Sequence, residues 1–345
     1  MSILRSRAGP LLILGTSALG GAAYRFTRSS SSDAALNPHT FTPYTLVDKQ
    51  PVSSTSAIFT LRNETGPRDP ESLTEGWKRS VWSVQIKQPQ LQIARAYTPL
   101  PTTDPTAHQR DIERPAEIRL LIRQEKGGEV STYLHRLPEN ATVDLRGPNT
   151  EFELPHDIKE VVFLAGGTGI APAMQVAQAL ARRTGSRMHI LWANRKREEC
   201  LGGVGDETPA IEGRRSGWWR SLLGVGHSAT QEPLVNTSAD GEKNVIVREL
   251  EALKERNTTH SEGLKVHYYV DEEQTFIKSG DVARKLRLDS TQHDNGSRLI
   301  LISGPDGFIE YWAGKKIWVG GRETQGPLGG VLSKMDLKDW SVFKL

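Results

Sequence analysis

The sequence predicts two modules in series, an antiparallel β-barrel of Greek-key type followed by a doubly wound parallel α/β sheet, and three observations carry that reading. At 345 residues the chain is long enough for two domains, each with its own core. Up to about residue 150 the apolar segments are short, separated by Pro-rich and Gly-rich turns, and mostly without a helical period between them. Beyond Pro155, apolar strands alternate with helical patterns, as in a parallel sheet covered on both faces. The expected organisation is a leader, anchor and linker over 1–38, a barrel over 39–154, and an α/β unit over 155–345 with an insertion at 201–244.

A content of 37% hydrophobic and 25% charged residues excludes disorder throughout and a polytopic membrane fold. Of the net charge of +3, residues 1–32 contribute +4, from Arg5, Arg7, Arg25 and Arg28 without an acid, leaving about −1 for the rest. The folded part therefore offers no large basic field, which argues against nucleic-acid binding. The single cysteine, Cys200, excludes an internal disulfide, a thiolate zinc site and a CxxC pair, so redox chemistry needs a borrowed cofactor. No metal site is expected.

From Ala8 to Tyr24 the leader runs 17 residues without charge. As a helix it spans about 25 Å, enough to cross a bilayer if its flanks snorkel. Arg-rich, Ser-rich, acid-free composition fits a mitochondrial presequence with an inner-membrane anchor; a secretory signal is the competing reading. Arginines on both flanks leave the orientation open.

A linker is expected from Ser29 to Thr42, with regular patterning from Ala57 to Leu61. Further strands are expected at Ser80–Ile86, Leu91–Tyr97, Glu117–Arg123 and Thr142–Leu145. In the second half, Lys159–Ala165, the run MHILWAN, Leu264–Val270 and Arg298–Ser303 read as buried strands. Helical patterns occupy Ala171–Arg183, Val245–Arg256 and Asp281–Leu286. The insertion carries Arg214, Arg215, Trp218, Trp219, Arg220, Leu222 and Leu223, a mixture suited to a membrane interface or a partner surface, or equally to a solvated loop with tucked aromatics.

The strand KEVVFLA followed by Gly166-Gly167-Thr168-Gly169 and a helix leaves unpaired backbone donors at a helix N-terminus, a place suited to a phosphate. It lacks the third glycine of GxGxxG and the Lys-Ser/Thr of a P-loop. About 70 residues upstream, Arg95-Ala96-Tyr97-Thr98-Pro99 offers a bidentate guanidinium, a ring with a hydroxyl, and a second hydroxyl, the groups a flavin dinucleotide needs. Neither a GxSxG elbow before a helix nor an HExxH motif occurs, so hydrolase chemistry has no motif behind it.

At these residues the chain resembles the NADH-cytochrome b5 reductase branch of the ferredoxin reductase-like flavoproteins. RAYTP matches the family's RxYT/S motif, GGEVSTYL at Gly127–Leu134 its GGKMSxYL motif, and GGTGIAP at Gly166–Pro172 its GGTGITP motif. RGP at Arg146–Pro148, HILWAN and YYVD add support, and the resemblance runs from about Tyr44 to Leu345. It implies FAD as cofactor and NADH or NADPH as electron donor. Arg95 would bind the FAD diphosphate, Tyr97 would contact the ribityl chain or ring, and Thr98 would approach flavin N5. Leu121, Ile122 and Arg123 would form the next FAD-contacting strand, and Gly128, Val130, Ser131 and Thr132 would close on the diphosphate. Glu129 stands where relatives often carry lysine, which removes one favourable charge. Gly167, Thr168, Gly169 and Pro172 would shape the nicotinamide pocket. Asp271 would favour NADH by repelling a 2′-phosphate, or is an ordinary surface aspartate.

The family's CGPPxM block reads Ser303-Gly304-Pro305-Asp306-Gly307-Phe308 here. Ser303 replaces the cysteine that faces hydride transfer, keeping its size and losing the soft sulfur. Gly304 and Pro305 retain the loop's start, so Thr98 and Ser303 are the residues the resemblance places nearest the reaction. The tail DLKDWSVFKL resembles the family's last strand, with Trp340 and Phe343 as interface aromatics or simply core, and Lys315–Pro327 reads as a second insertion.

With the altered block, long insertions and mitochondrial leader, the chain is similar within this branch to the membrane-associated flavoproteins of cytochrome c maturation. That likeness implies electron transfer through FAD to a haem or cytochrome-type acceptor, with apocytochrome c and its haem lyase as candidate partners, at the mitochondrial inner membrane facing the intermembrane space. A general NADH-cytochrome b5 reductase-like enzyme and a non-catalytic FAD-containing assembly protein are the alternatives.

Overall fold

A computed structural model describes residues 35–63, 71–102, 117–206, 243–260, 263–287 and 296–345. The leader with its uncharged stretch and the Trp-Arg cluster of the insertion lie outside the described residues, and no helix among those described is long and apolar enough to cross a membrane.

The first module is a six-stranded antiparallel sheet built from β1 (Thr42–Pro51), β2 (Ser56–Arg62), β3 (Ser80–Gln88), β4 (Ile93–Tyr97), β5 (Glu117–Arg123) and β6 (Thr142–Glu153). The strand order is β4-β3-β6-β1-β2-β5, so β6 returns to lie between β1 and β3. The edges β4 and β5 meet where Pro99 bridges Leu120 and the Leu100 N–H donates to the Arg119 carbonyl at 2.7 Å, which curls the sheet toward a barrel. Inward residues such as Tyr44, Leu46, Phe59, Trp82 and Leu145 fill its core. Helix α1 (Glu71–Arg79) leads into β3, and α2 (Glu129–Arg136) packs beside β3 and β4.

Regular structure starts earlier than expected. β1 fills the stretch between the expected linker, with which it shares only Thr42, and the patterning expected from Ala57, because Thr42, Tyr44 and Leu46 alternate inward along TPYTLVD. β6 also runs eight residues past Leu145, to Glu153.

The second module is a five-stranded parallel sheet of β7 (Ile158–Gly166), β8 (Arg187–Asn194), β9 (Gly263–Val270), β10 (Ser297–Ser303) and β13 (Ser341–Lys344), in the order β13-β10-β7-β8-β9. Helices α3 (Ile170–Leu180) and α4 (Val245–His260) bury one face, and α5 (Ser279–Arg287) and α6 (Asp306–Ala313) the other. A hairpin of β11 (Ile317–Val319) and β12 (Arg322–Thr324) projects between α6 and β13. The order reverses between β7 and β10, so their carboxyl ends form a topological switch point, the usual ligand crevice of such sheets.

One apolar cluster runs through both modules, joining Ile58, Val81, Leu100 and Leu121 of the first to α3 and α4 of the second. The insertion leaves and re-enters at one place. Asn244 donates its main-chain N–H to Leu201 O at 3.0 Å, and its amide reaches Glu198 O at 2.9 Å and Val52 O at 3.1 Å.

Candidate functional site

Two depressions are relevant, one on the barrel and one where the modules meet. The first, about 430 Å³, lies between the β3–β4 turn at Gln88 and Leu91 and the start of α2 at Gly127, Gly128, Glu129 and Thr132. No side chain caps α2, so the first main-chain N–H groups of the helix point out of its end. Gly127 holds φ +79° with open space where a side chain would be, and a Cβ on Gly128 would sit 2.6 Å from Ser131 Oγ. This is an anion cradle made of backbone.

Of the residues expected there, Gly128 and Thr132 line the depression and Val130 contributes only backbone, its side chain being buried in the barrel core. The Ser131 hydroxyl is already engaged, donating to Gly128 O at 3.2 Å and accepting the Glu125 N–H at 3.1 Å. In this arrangement Ser131 fixes the turn that aims the N–H groups.

Arg95, Tyr97 and Thr98 sit at the barrel seam. Arg95 is exposed on the edge strand and donates to Ala94 O at 3.1 Å, while Tyr97 and Thr98 are half-buried. Burial pushes the Tyr97 phenol up to about 12, against the opposing pull of Arg95, so the hydroxyl keeps its proton and can donate. On β5, Ile122 is buried in the barrel core, so its side chain faces away from any cofactor between the modules. Leu121 faces the inter-module cluster and Arg123 reaches the second depression.

The second depression, about 510 Å³, is the switch-point crevice. Arg123, Gly166, Gly167, Asn194, Arg195, Asp271, Pro305 and the aromatics Phe276, Phe308, Tyr311 and Trp312 line it. Its floor depends on glycine: a Cβ on Gly169 would lie 2.3 Å from Ser303 O, and one on Gly304, at φ +153°, would lie 3.0 Å from Gly166 Cα. Two loops at the ends of β7 and β10 thus interlock backbone to backbone. Ser303 and Thr168 are half-buried beside this contact, and Pro172 is buried in the first turn of α3. Asp271 is exposed at the end of β9 and lines the crevice together with Arg195 at the end of β8.

Several contributors escape sequence reasoning. Trp192 donates its indole N–H to Gly167 O at 2.9 Å, fixing the GGTG loop. Gln175, buried on α3, accepts from Trp82 N at 2.9 Å and donates to Pro99 O at 2.9 Å, so it holds the residue next to Thr98. Two glutamines, Gln175 and Gln178, within the otherwise apolar IAPAMQVAQAL were the available signal. Glu199, which pairs with Arg123 at 2.6 Å, carries no local signal.

The residues fit a flavin dinucleotide. A backbone anion cradle stands beside the guanidinium strand, and buried Arg123 Nε finds no acceptor among the described residues. Comparison agrees: the family described as oxidoreductase FAD-binding domain matches residues 43–154, and that described as oxidoreductase NAD-binding domain matches residues 163–220. The chain joins an FAD-binding to an NAD-binding oxidoreductase domain.

This FAD- and NAD-binding chain is 29% identical over 143 residues to the cytochrome c mitochondrial import factor CYC2 of Saccharomyces cerevisiae, covering 39% of this chain and 38% of that protein. It is 29% identical over 188 residues to NADH-cytochrome b5 reductase 1 of Aspergillus terreus, covering 52% of this chain and 60% of that one. The matched regions therefore span less than two thirds of these relatives. In fold it is similar to the CS-b5R domains of human Ncb5or in the NAD+ form, with a TM-score of 0.52 at 15% identity over 88% of this chain and 69% of that one.

Proposed function

We propose that this chain is an FAD-dependent oxidoreductase that takes electrons from NADH or NADPH and delivers them to a haem or haem-protein acceptor. The observation that carries the reading is the composition of the switch-point crevice, where Arg123 of the barrel and the Gly166–Gly167 loop of the parallel sheet line one cavity. A dinucleotide in that crevice meets whatever the barrel holds at the same wall. When bound, FAD supplies hydride acceptance and the conversion from two electrons to one.

The chain's part is alignment and exclusion of water. Arg95 and the α2 N-terminus hold the diphosphate, Tyr97 and Thr98 bear on the ring, and Gly167–Gly169 with Ser303–Pro305 let the donor ring approach closely. Phe308, Tyr311 and Trp312 wall the crevice against solvent. Asp271 supports NADH, while Arg195 on the neighbouring strand end offers a cation to a 2′-phosphate.

The acid-free leader and the likeness to a cytochrome c mitochondrial import factor support a finer reading: action at the mitochondrial inner membrane, facing the intermembrane space, during haem attachment to cytochrome c. The test is an absorption spectrum of the purified full chain before and after anaerobic NADH or NADPH, then after ferric haem or ferric cytochrome c. A flavin spectrum bleached by either donor and restored by ferric haem is expected, and Arg95→Ala should lose the flavin. Bound flavin that stays oxidised with both donors overturns the reading in favour of a structural FAD.

A further inference from the structure

We propose that the β11–β12 hairpin seats in the interfacial layer of an anionic lipid bilayer. Ile317, Trp318 and Val319 are consecutive in β11 and 42%, 73% and 58% exposed. Side chains alternate along a strand, so Trp318 leaves one face and Ile317 and Val319 the other. The strand is apolar on both sides. A flat protein surface covers one face of such a strand, whereas a lipid interface surrounds it. Tryptophan settles at that depth, its ring in the apolar layer and its N–H toward headgroups.

Charge points the same way. Lys315 and Lys316 precede the apolar residues and pair with Glu310 at 3.4 Å and Glu323 at 3.2 Å. With Arg322 in the sequence the three cations outnumber those two carboxylates by one, a small positive excess toward anionic headgroups. Gly320 and Gly321, at φ +59° and +76°, close a two-residue turn directly after Val319, so the apolar residues stand next to the tip. The base is pinned. Buried Lys344 donates through Nζ to Lys315 O at 3.0 Å and Pro327 O at 3.2 Å. Its main chain exchanges two bonds with the Gln325 amide, at 2.7 and 2.9 Å. The hairpin is a rooted projection.

This inference rests on the proposed membrane attachment and adds a second contact point to the leader. The test uses the full chain with vesicles of phosphatidylcholine and phosphatidylglycerol carrying brominated acyl chains, reading flotation and tryptophan emission for wild type and Trp318→Phe. Flotation of both, with lipid quenching of the tryptophan emission in wild type that Trp318→Phe measurably reduces, is the expected result. Flotation with equal quenching in the two proteins overturns the hairpin contact, leaves attachment standing and frees Trp318 for a protein partner. Failure of both to float overturns attachment and hairpin contact together.

Discussion

Arg123 of β5 and Glu199 of the turn after β8 form a buried ion pair at 2.6 Å, each side chain 7% exposed, across the join between the two modules. The second Glu199 oxygen accepts the Arg195 N–H at 3.1 Å, so one carboxylate ties the barrel to the strand end that carries Arg195 into the crevice. The guanidinium lies over Gly167, where a Cβ would meet it at 3.2 Å. Three parts of the candidate site are thereby held in one register.

Glu199→Gln should leave the Arg123 charge buried and unpaired, a loss on the order of 3 kcal/mol. Replacing both residues with methionine should recover much of it, because the desolvation cost of the charges disappears with them. Urea denaturation of the three proteins measures this. Equal loss in the single and double variants would show that stability does not hang on the uncompensated charge.

Gly169→Ala should abolish nucleotide binding and lower stability, since the new methyl sits 2.3 Å from Ser303 O and neither loop has a flexible side chain to give way. Gly307→Ala is the internal control. Nothing lies within 4 Å of its Cβ at the start of α6, so it should be neutral or stabilise by about 0.5–1 kcal/mol through helix propensity. Thermal melts with and without NADH separate the two outcomes.

The fold was legible because each segment's period agreed with its packing. KEVVFLA is apolar without a break and becomes β7, covered on both faces, and Glu117–Arg123 was read to the residue. Helix α2 showed itself only as a motif, and β1 was hidden by polar residues that the barrel buries, Thr42 among them. For the site, backbone-shaped parts were legible, since glycine at Gly128, Gly167 and Gly169 announces close approach. Partners far apart in sequence were not: Gln175 reaches Trp82, and Arg123 reaches Glu199, only through the tertiary fold.

Ser303→Cys should speed reduction of the bound flavin by NADH. Ser303 ends β10 with its carbonyl packed against Gly169, so the side chain changes while the loop backbone stays fixed. A thiol is softer and more weakly hydrated than a hydroxyl beside a ring that must shed charge. A gain of about tenfold corresponds to 1.4 kcal/mol off the barrier. Anaerobic stopped-flow reads it, and an unchanged or slower rate would mean that the serine is not what limits this site.

Acid should destabilise the protein through His189. Its ring stacks on that of His267 at 5.9 Å between strands β8 and β9, and its Nδ1 has no hydrogen-bond partner among the described residues. Burial first, and then the positive charges of Lys285, His267, Lys265 and Arg187, push it down to about 3 from the usual 6.5. A depressed value means that the unfolded chain binds the proton first as pH falls. Stability is therefore full above about pH 6.5 and declines below it toward pH 3, by up to about 1.4 kcal/mol per pH unit for this group. His267, also lowered by burial, adds to the same slope. Between pH 7 and pH 5 the melting temperature should fall in the wild type and fall less in His189→Leu, which keeps the volume and removes the proton acceptor. Parallel slopes in the two proteins would assign the acid sensitivity to other groups.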